Sequence, residues 1–302
     1  VGQGQTKTVL YATLFSHAIH LICDPVCIFG IKGFLRPGGI WGAGFATLFS
    51  QLTYCGVLLG LFLKDKNRKM YGIENYAFNK TLFWECLRIG IPRAISRGIT
   101  LFTWTAAVRY LTLKGGSYLL VLSFGTSIHF LFIFILEGMG QAIVTIGSYI
   151  VGIKEMSHLR QLLRSAGLFI GIGMAILFIP YVLYPNLTIS FIFPDLKDPT
   201  LLRLLRYSCY WSYLLFLTQS LNSIGHNLLT AFQDTAFQMF YNALSSWIFT
   251  YSILFYAIEV WGYSADCIWL IASVSSVMAT PVYLMRAKVI TRRMRRGISL
   301  AE

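Results

Sequence analysis

Apolar residues in this 302-residue chain gather into runs of roughly 20, separated by short polar or charged stretches. Eight such runs can be read, over about 9–31, 40–63, 83–110, 117–150, 165–193, 207–231, 237–260 and 265–285. As a helix, each is long enough to cross a hydrocarbon layer of about 30 Å. The run that starts after Gly115 continues to Gly152, longer than a bilayer requires, and is expected to project beyond it. Segments of about ten residues with alternating polarity, the mark of an outer-membrane barrel, are not seen. The pattern therefore predicts an all-α integral membrane protein with about eight transmembrane helices.

Composition supports that class: 56% of residues are hydrophobic and only 12% charged, about half the charged share of a soluble domain. Net charge +13 invites a nucleic-acid reading, but the placement of the cations argues against it. Following eight spans in order, one side receives Lys7, the Lys64–Lys80 loop, Arg88, Lys154, Arg160, Arg164 and the six cations from Arg286 to Arg296. The other side receives far fewer. The positive-inside rule then puts both chain ends in the cytoplasm and the basic tail, 290–302, against an anionic lipid face, with no nucleic-acid partner. The six cysteines are scattered without a paired CxxC site and read as structural thiols. The chain opens on Val1, and a fragment of a longer protein is expected.

Candidate chemistry begins at 11–30, YATLFSHAIHLICDPVCIFG. At 100° per residue, Thr13, His17, His20 and Asp24 fall within an arc of about 60° and share one helix face. A membrane carboxylate is costly, about 2.5–3.5 kcal/mol even on a lenient insertion scale, and marks a functional position. Pro25 removes one N–H and frees the carbonyl of Leu21 beside it. The His-x2-His-x3-Asp spacing could hold a metal, but one helix rarely completes such a site and none is predicted. Glu137, in ILEGMGQA, is the second intramembrane acid, with Gln141 one turn on; it either lines a cavity or neutralises Arg93 or Arg97. Those two arginines, one turn apart after Pro92, either snorkel to the surface or lie near the midplane. The 207–231 run is unusually polar, with Gln219 and Asn222 among its candidate cavity residues, and either bonds between helices or lines a wet cavity.

Two helix pairs echo each other: GQGQTK through IWGAGFATLFSQ to the basic run at 64–70, and AFQDTA through VWGYSADCIW to RAKVITRRM. The loop KDKNRKMYGIENYAFNK marks the boundary between lobes. Boundaries follow at 1–63, the 64–81 loop, 82–289 and the tail 290–302.

At this level the chain resembles the multidrug and toxic compound extrusion (MATE) transporters. HLICDPVCIFG looks like their fifth helix with its Asp-Pro pair, GIWGAGFATLFSQ like the start of the sixth, and LRIGIPRAI like the entry of the seventh. EGMGQAIVTIGSYIVGIKE is similar to the long eighth, while TAFQDTAF and WGYSAD match the ends of the tenth and eleventh. The resemblance implies a two-lobe, twelve-helix fold of which this chain holds helices five to twelve: the last two of the N-terminal lobe in 1–63 and the six of the C-terminal lobe in 82–289. It implies, further, a non-enzymatic antiporter that exports small organic, cationic compounds across the inner membrane. No cofactor is expected beyond a coupling proton or sodium ion; the partners are small-molecule substrate, coupling cation and membrane lipid. Asp24 resembles the fifth-helix coupling acid of the proton-driven branch, with His20 and His17 as hydrogen-bond partners or relays. The positions of the sodium-branch acids fall near Thr100 and Gln219, neither of them acidic, which leaves Asp24 as the coupling candidate. Its protonation is expected to bend the helix at Pro25 and expel substrate. The alternative is a flippase of lipid-linked oligosaccharides, whose pyrophosphate would suit Arg93 and Arg97.

Overall fold

The computed structural model describes residues 6–31, 36–64, 67, 69 and 78–295. The GQGQ segment, most of the 64–81 loop and the end of the basic tail lie outside the described residues. By contact the chain forms two units, Val1–Lys80 and Thr81–Glu302.

The first unit is an antiparallel helical hairpin, α1 (Thr6–Phe29) and α2 (Gly39–Phe62). Its interface is built from small residues at a spacing of four on α2, Gly42, Ala46 and Ser50, facing Ala12 and Ser16 of α1. Small side chains let two helix backbones approach closely where lipid supplies no hydrophobic drive. Ser16 and Ser50 exchange bonds at that point: each hydroxyl donates to the other's backbone carbonyl, at 2.8 and 3.0 Å, and the two oxygens lie 2.9 Å apart. At the other end Gly38 N–H donates to the Cys27 carbonyl at 3.1 Å. A Cβ on Gly42 would lie 2.0 Å from that carbonyl oxygen, so only glycine fits.

In the second unit, α3 (Lys80–Lys114), α4 (Gly116–Gly152) and α5 (His158–Phe178) come first. α5 loosens into a π-helical turn, Ile179–Leu183, and resumes as α6 (Pro185–Ile192). α7 (Pro199–Ala231) is opened by Asp198, whose carboxylate accepts the Thr200 N–H at 2.8 Å, with Pro199 pre-set for the first turn. α8 (Thr235–Ser245) passes through a second π-helical stretch, Ser246–Ser252, into α9 (Ile253–Glu259), and α10 (Ile268–Arg295) closes the chain. The Gln-Asp-Thr and Trp-Gly connectors are tight turns held by left-handed residues, Gln233 at φ 63° and Gly262 at φ 67°.

α4, α7 and α10 run parallel and form the core. The Trp269 indole of α10 lies on Gly125 of α4 and donates to the Val121 carbonyl at 3.2 Å. Gly140 and Gly147 of α4 meet Asn227 and Ala231 of α7, and Gly225 of α7 meets Tyr283 of α10. Around them Phe124, Ile128, Leu205 and Phe216 are fully buried.

Eight helical passages are present among the described residues, one for each apolar run. They extend past those runs, α3 from Lys80 to Lys114 and α10 to Arg295, because Lys and Arg are good helix formers and do not end a helix. Among the described residues five stretches are long and apolar enough to cross a membrane: Lys7–Phe29, Gly39–Phe62, Phe132–Gly152, His158–Leu183 and Ala265–Met294. α3 falls short in apolarity through Glu85, Arg88, Arg93, Arg97 and Arg109, and α7 through its polar face.

Candidate functional site

Asp24 lies one turn after His20 on α1, and the two side chains meet: His20 Nδ1 is 3.2 Å from Asp24 Oδ2. The other ring nitrogen, Nε2, is 3.2 Å from the Thr47 hydroxyl of α2, which itself donates to the Ala43 carbonyl at 2.9 Å. One imidazole thus links the carboxylate to the second helix. Thr47 as a proton donor is committed to Ala43, so it accepts from Nε2–H and leaves Nδ1 as an acceptor towards the carboxyl group. In that tautomer a protonated Asp24 donates to Nδ1; with Asp24 ionised, the pair is satisfied by an imidazolium. The arrangement can therefore hold one shared proton between two groups. Both side chains are about one-third exposed, 32% for His20 and 33% for Asp24.

Pro25 is inside α1, which continues to Phe29 with the Leu21 carbonyl deprived of its usual donor. His17 is exposed and Thr13 has turned its hydroxyl back to the Val9 carbonyl at 2.9 Å, so the stripe reads chemically as His20, Asp24 and Thr47. Thr47 is absent from the sequence reading. Its signal was the small-residue period of α2, which fixes which face meets α1.

In the second unit Glu137 of α4 stands 3.8 Å from Arg97 of α3, a loose ion pair with both side chains more than half exposed. Gln141 and Arg93 are exposed, and Gln219 and Asn222 are half-buried on α7. Thr100 does not pair with Gln219; it accepts the Asn242 amide of α8 at 2.7 Å, and the same amide donates to Ser96 at 2.9 Å. Two other polar braces tie the unit together. Arg286 Nε donates to Asp234 at 2.7 Å across the α7–α8 turn, and Lys114 pairs with Glu259, which also accepts the Tyr110 hydroxyl at 2.9 Å. Among the described residues no group of three or more His, Cys, Asp or Glu side chains converges as a metal site would need.

No protein-family model matches the chain. Over 220 residues it is 24% identical to the probable multidrug resistance protein YoeA of Bacillus subtilis, a match covering 71% of this chain and 47% of that protein. Against the solved bent form of the Vibrio cholerae MATE transporter VcmN the TM-score is 0.77 at 16% identity, over 98% of this chain and 65% of VcmN. The fold is that of a MATE transporter. A transporter of the same superfamily from Pyrococcus furiosus, described as having a binding pocket of reverse polarity, superposes with TM-score 0.75 at 14% identity, over 94% of this chain and 62% of that one.

The MATE fold makes this a multi-pass membrane protein, and its eight helical passages suit a partial MATE chain. The chain spans about half the length of the curated relative it matches and under two-thirds of each of these two solved MATE-like structures. The two candidate acids sit in different units: Asp24 with His20 and Thr47, and Glu137 with Arg97.

Proposed function

We propose that this chain is part of a cation-coupled antiporter that exports small organic cations across the inner membrane, and that the His20–Asp24 pair carries the coupling proton. The observation that carries the reading is the 3.2 Å contact of His20 with Asp24, anchored on Thr47 and next to Pro25, inside a MATE fold. Antiport needs one group at which proton and substrate exclude each other. A partly exposed carboxylate that shares a proton with an imidazole meets that need: a cationic substrate arriving at Asp24 displaces the proton, and a returning proton releases the substrate. Its release would be felt at once on α2, through the bond from His20 to Thr47. No cofactor and no covalent step enter this cycle, and both ends of the chain face the cytoplasm by the distribution of Lys and Arg.

The test is drug efflux by the full-length protein in cells or proteoliposomes with Asp24→Asn and, separately, Glu137→Gln. Loss of coupled efflux in Asp24→Asn with substantial retention in Glu137→Gln is expected. Full efflux in Asp24→Asn would remove the carboxylate from the mechanism.

One observation favours a second reading. Arg93 and Arg97 are both exposed, and among the described residues the one carboxylate paired with either is Glu137, 3.8 Å from Arg97. That excess of positive charge suits an anionic headgroup, such as the pyrophosphate of a lipid-linked sugar, better than a cationic drug. The Pyrococcus relative, with its pocket of reverse polarity, supports keeping this alternative. Binding of a pyrophosphate lipid by the wild type, abolished in Arg93→Ala/Arg97→Ala, would favour the flippase.

A further inference from the structure

Four buried side-chain atoms of the second unit have no hydrogen-bond partner among the described residues: Ser208 Oγ, Ser212 Oγ and Asn222 Oδ1 of α7, and His129 Nδ1 of α4. Ser208 and Ser212 are 0% and 1% exposed. Leaving such groups dry is costly, and native interiors resolve this with ordered water.

Their placement is not scattered. At 100° per residue, Ser208, Ser212, Gln219, Asn222 and His226 fall within an arc of about 80° and form one stripe along α7. Gly225 packs on Tyr283 of α10 at one flank of that arc, and Asn227 meets Gly140 of α4 at the other. The stripe therefore faces the groove between α4 and α10. Part-way along, the groove is crossed by a layer of rings. His129 stacks on Phe216 of α7 at 5.8 Å and on Trp269 of α10 at 6.5 Å between centroids. Trp269 continues to Trp104 of α3 at 6.2 Å, and Phe216 to Phe132 at 4.4 Å and Tyr181 at 5.7 Å. Along the α7 axis Ser212 and Ser208 precede this layer by about 6 and 12 Å, and Asn222 follows it by about 9 Å. His129 is the one member of the layer that can both accept and donate a proton at neutral pH. Tyr181 is the other titratable group of the layer, and Cys209, Tyr213 and Cys267 belong to the same core cluster.

We propose that the second unit holds a hydrated proton relay along α7: one water pocket on Ser208 and Ser212, a second on Asn222, joined through His129. A hydronium ion on one side gives its proton to the free ring nitrogen and is left as water, while the N–H on the other nitrogen passes its proton to water across the layer, which becomes hydronium. The imidazole ends in its other tautomer, and a ring flip resets it. The relay lies in the second unit and stands whether or not Asp24 couples efflux.

Two measurements test it on the full-length protein. In pulsed X-ray hydroxyl-radical labelling, which marks side chains beside bound water, Phe216 and Cys209, each normalised to its intrinsic reactivity, are expected to label several-fold above Leu111 and Ile189, which are equally buried. In liposomes holding a pH-sensitive dye under a valinomycin potassium potential, proton flux is expected to fall at least fivefold in His129→Phe and in Ser212→Val, with melting temperature retained. His129→Gln, which keeps a polar side chain but cannot turn over protons, serves as the second variant should His129→Phe unfold. Labelling of Phe216 no greater than that of Leu111 overturns the proposal, as does wild-type proton flux in a folded His129 variant. Lost efflux in Asp24→Asn with the flux intact would leave the relay standing and concern only the coupling site.

Discussion

A single added methyl group at Gly42 should separate the two helices of the first unit. A Cβ there would lie 2.0 Å from the Cys27 carbonyl oxygen and 2.5 Å from its carbon. Ordinary contact between heavy atoms is about 3.5 Å, so α1 and α2 must part locally by more than about 1 Å. The obstructing atoms are backbone and cannot rotate away. Overpacking of this kind costs about 1–3 kcal/mol, and the better helix propensity of alanine returns about 1 kcal/mol. Gly42→Ala is thus expected to destabilise by up to about 2 kcal/mol and to stretch the 3.1 Å bond from Gly38 to Cys27. The natural control is Gly56→Ala on the same helix, where an added Cβ meets nothing within 4 Å and the propensity gain should show alone. Thermal unfolding in detergent, followed with a thiol-reactive dye, compares the two. A Gly42→Ala protein as stable as Gly56→Ala would show that the helices are not held at this distance, and would undo the geometry given for His20 and Thr47.

Three further outcomes follow from the same kind of contact. Gly125→Ala places a Cβ 2.1 Å from the Trp269 ring, so the indole must leave its bond to Val121; tryptophan emission should shift to the red, and an unchanged spectrum would contradict the packing. Asn242→Leu removes the donor shared by Ser96 and Thr100 and should cost about 1–3 kcal/mol in a denaturation series, with part of the loss recovered when Ser96→Ala and Thr100→Val are added; an additive triple variant would refute the shared network. Thr47→Val frees His20 Nε2 while sparing Asp24, so coupled efflux should drop, but less than in Asp24→Asn; an equal or larger loss would move the essential group from the carboxylate to α2.

The helical passages were legible because bilayer thickness imposes a run of about 20 apolar residues on any crossing helix. Their ends were less so, since the cations of α3 and α10 sit at ends that still satisfy helix geometry. The His20–Asp24 pair follows from a spacing of four on one helix and needs no knowledge of the fold. Thr47 does need it: the contact depends on the register of two antiparallel helices, which the Ser16–Ser50 exchange fixes and no local pattern reveals. Likewise Thr100 and Gln219 could be placed on their helices by analogy, but the partner that Thr100 finds is Asn242, supplied by a different helix. His129 was missed altogether. A lone histidine in SFGTSIHFLFIF reads as a core residue, and only the stacking on Phe216 and Trp269, with Nδ1 left without a partner, sets it apart.

Pro25 lies between two fixings. On one side α1 is clasped to α2 by Ser16 and Ser50; on the other its Cys27 carbonyl is seated against Gly38 and Gly42. A change of kink in α1 alone would have to break one of them. The cheaper motion carries the Gly38–Gly42 end of α2 along with Cys27, so a protonation event at Asp24 would be delivered as a tilt of the whole hairpin tip, with Ser16 and Ser50 as its fulcrum.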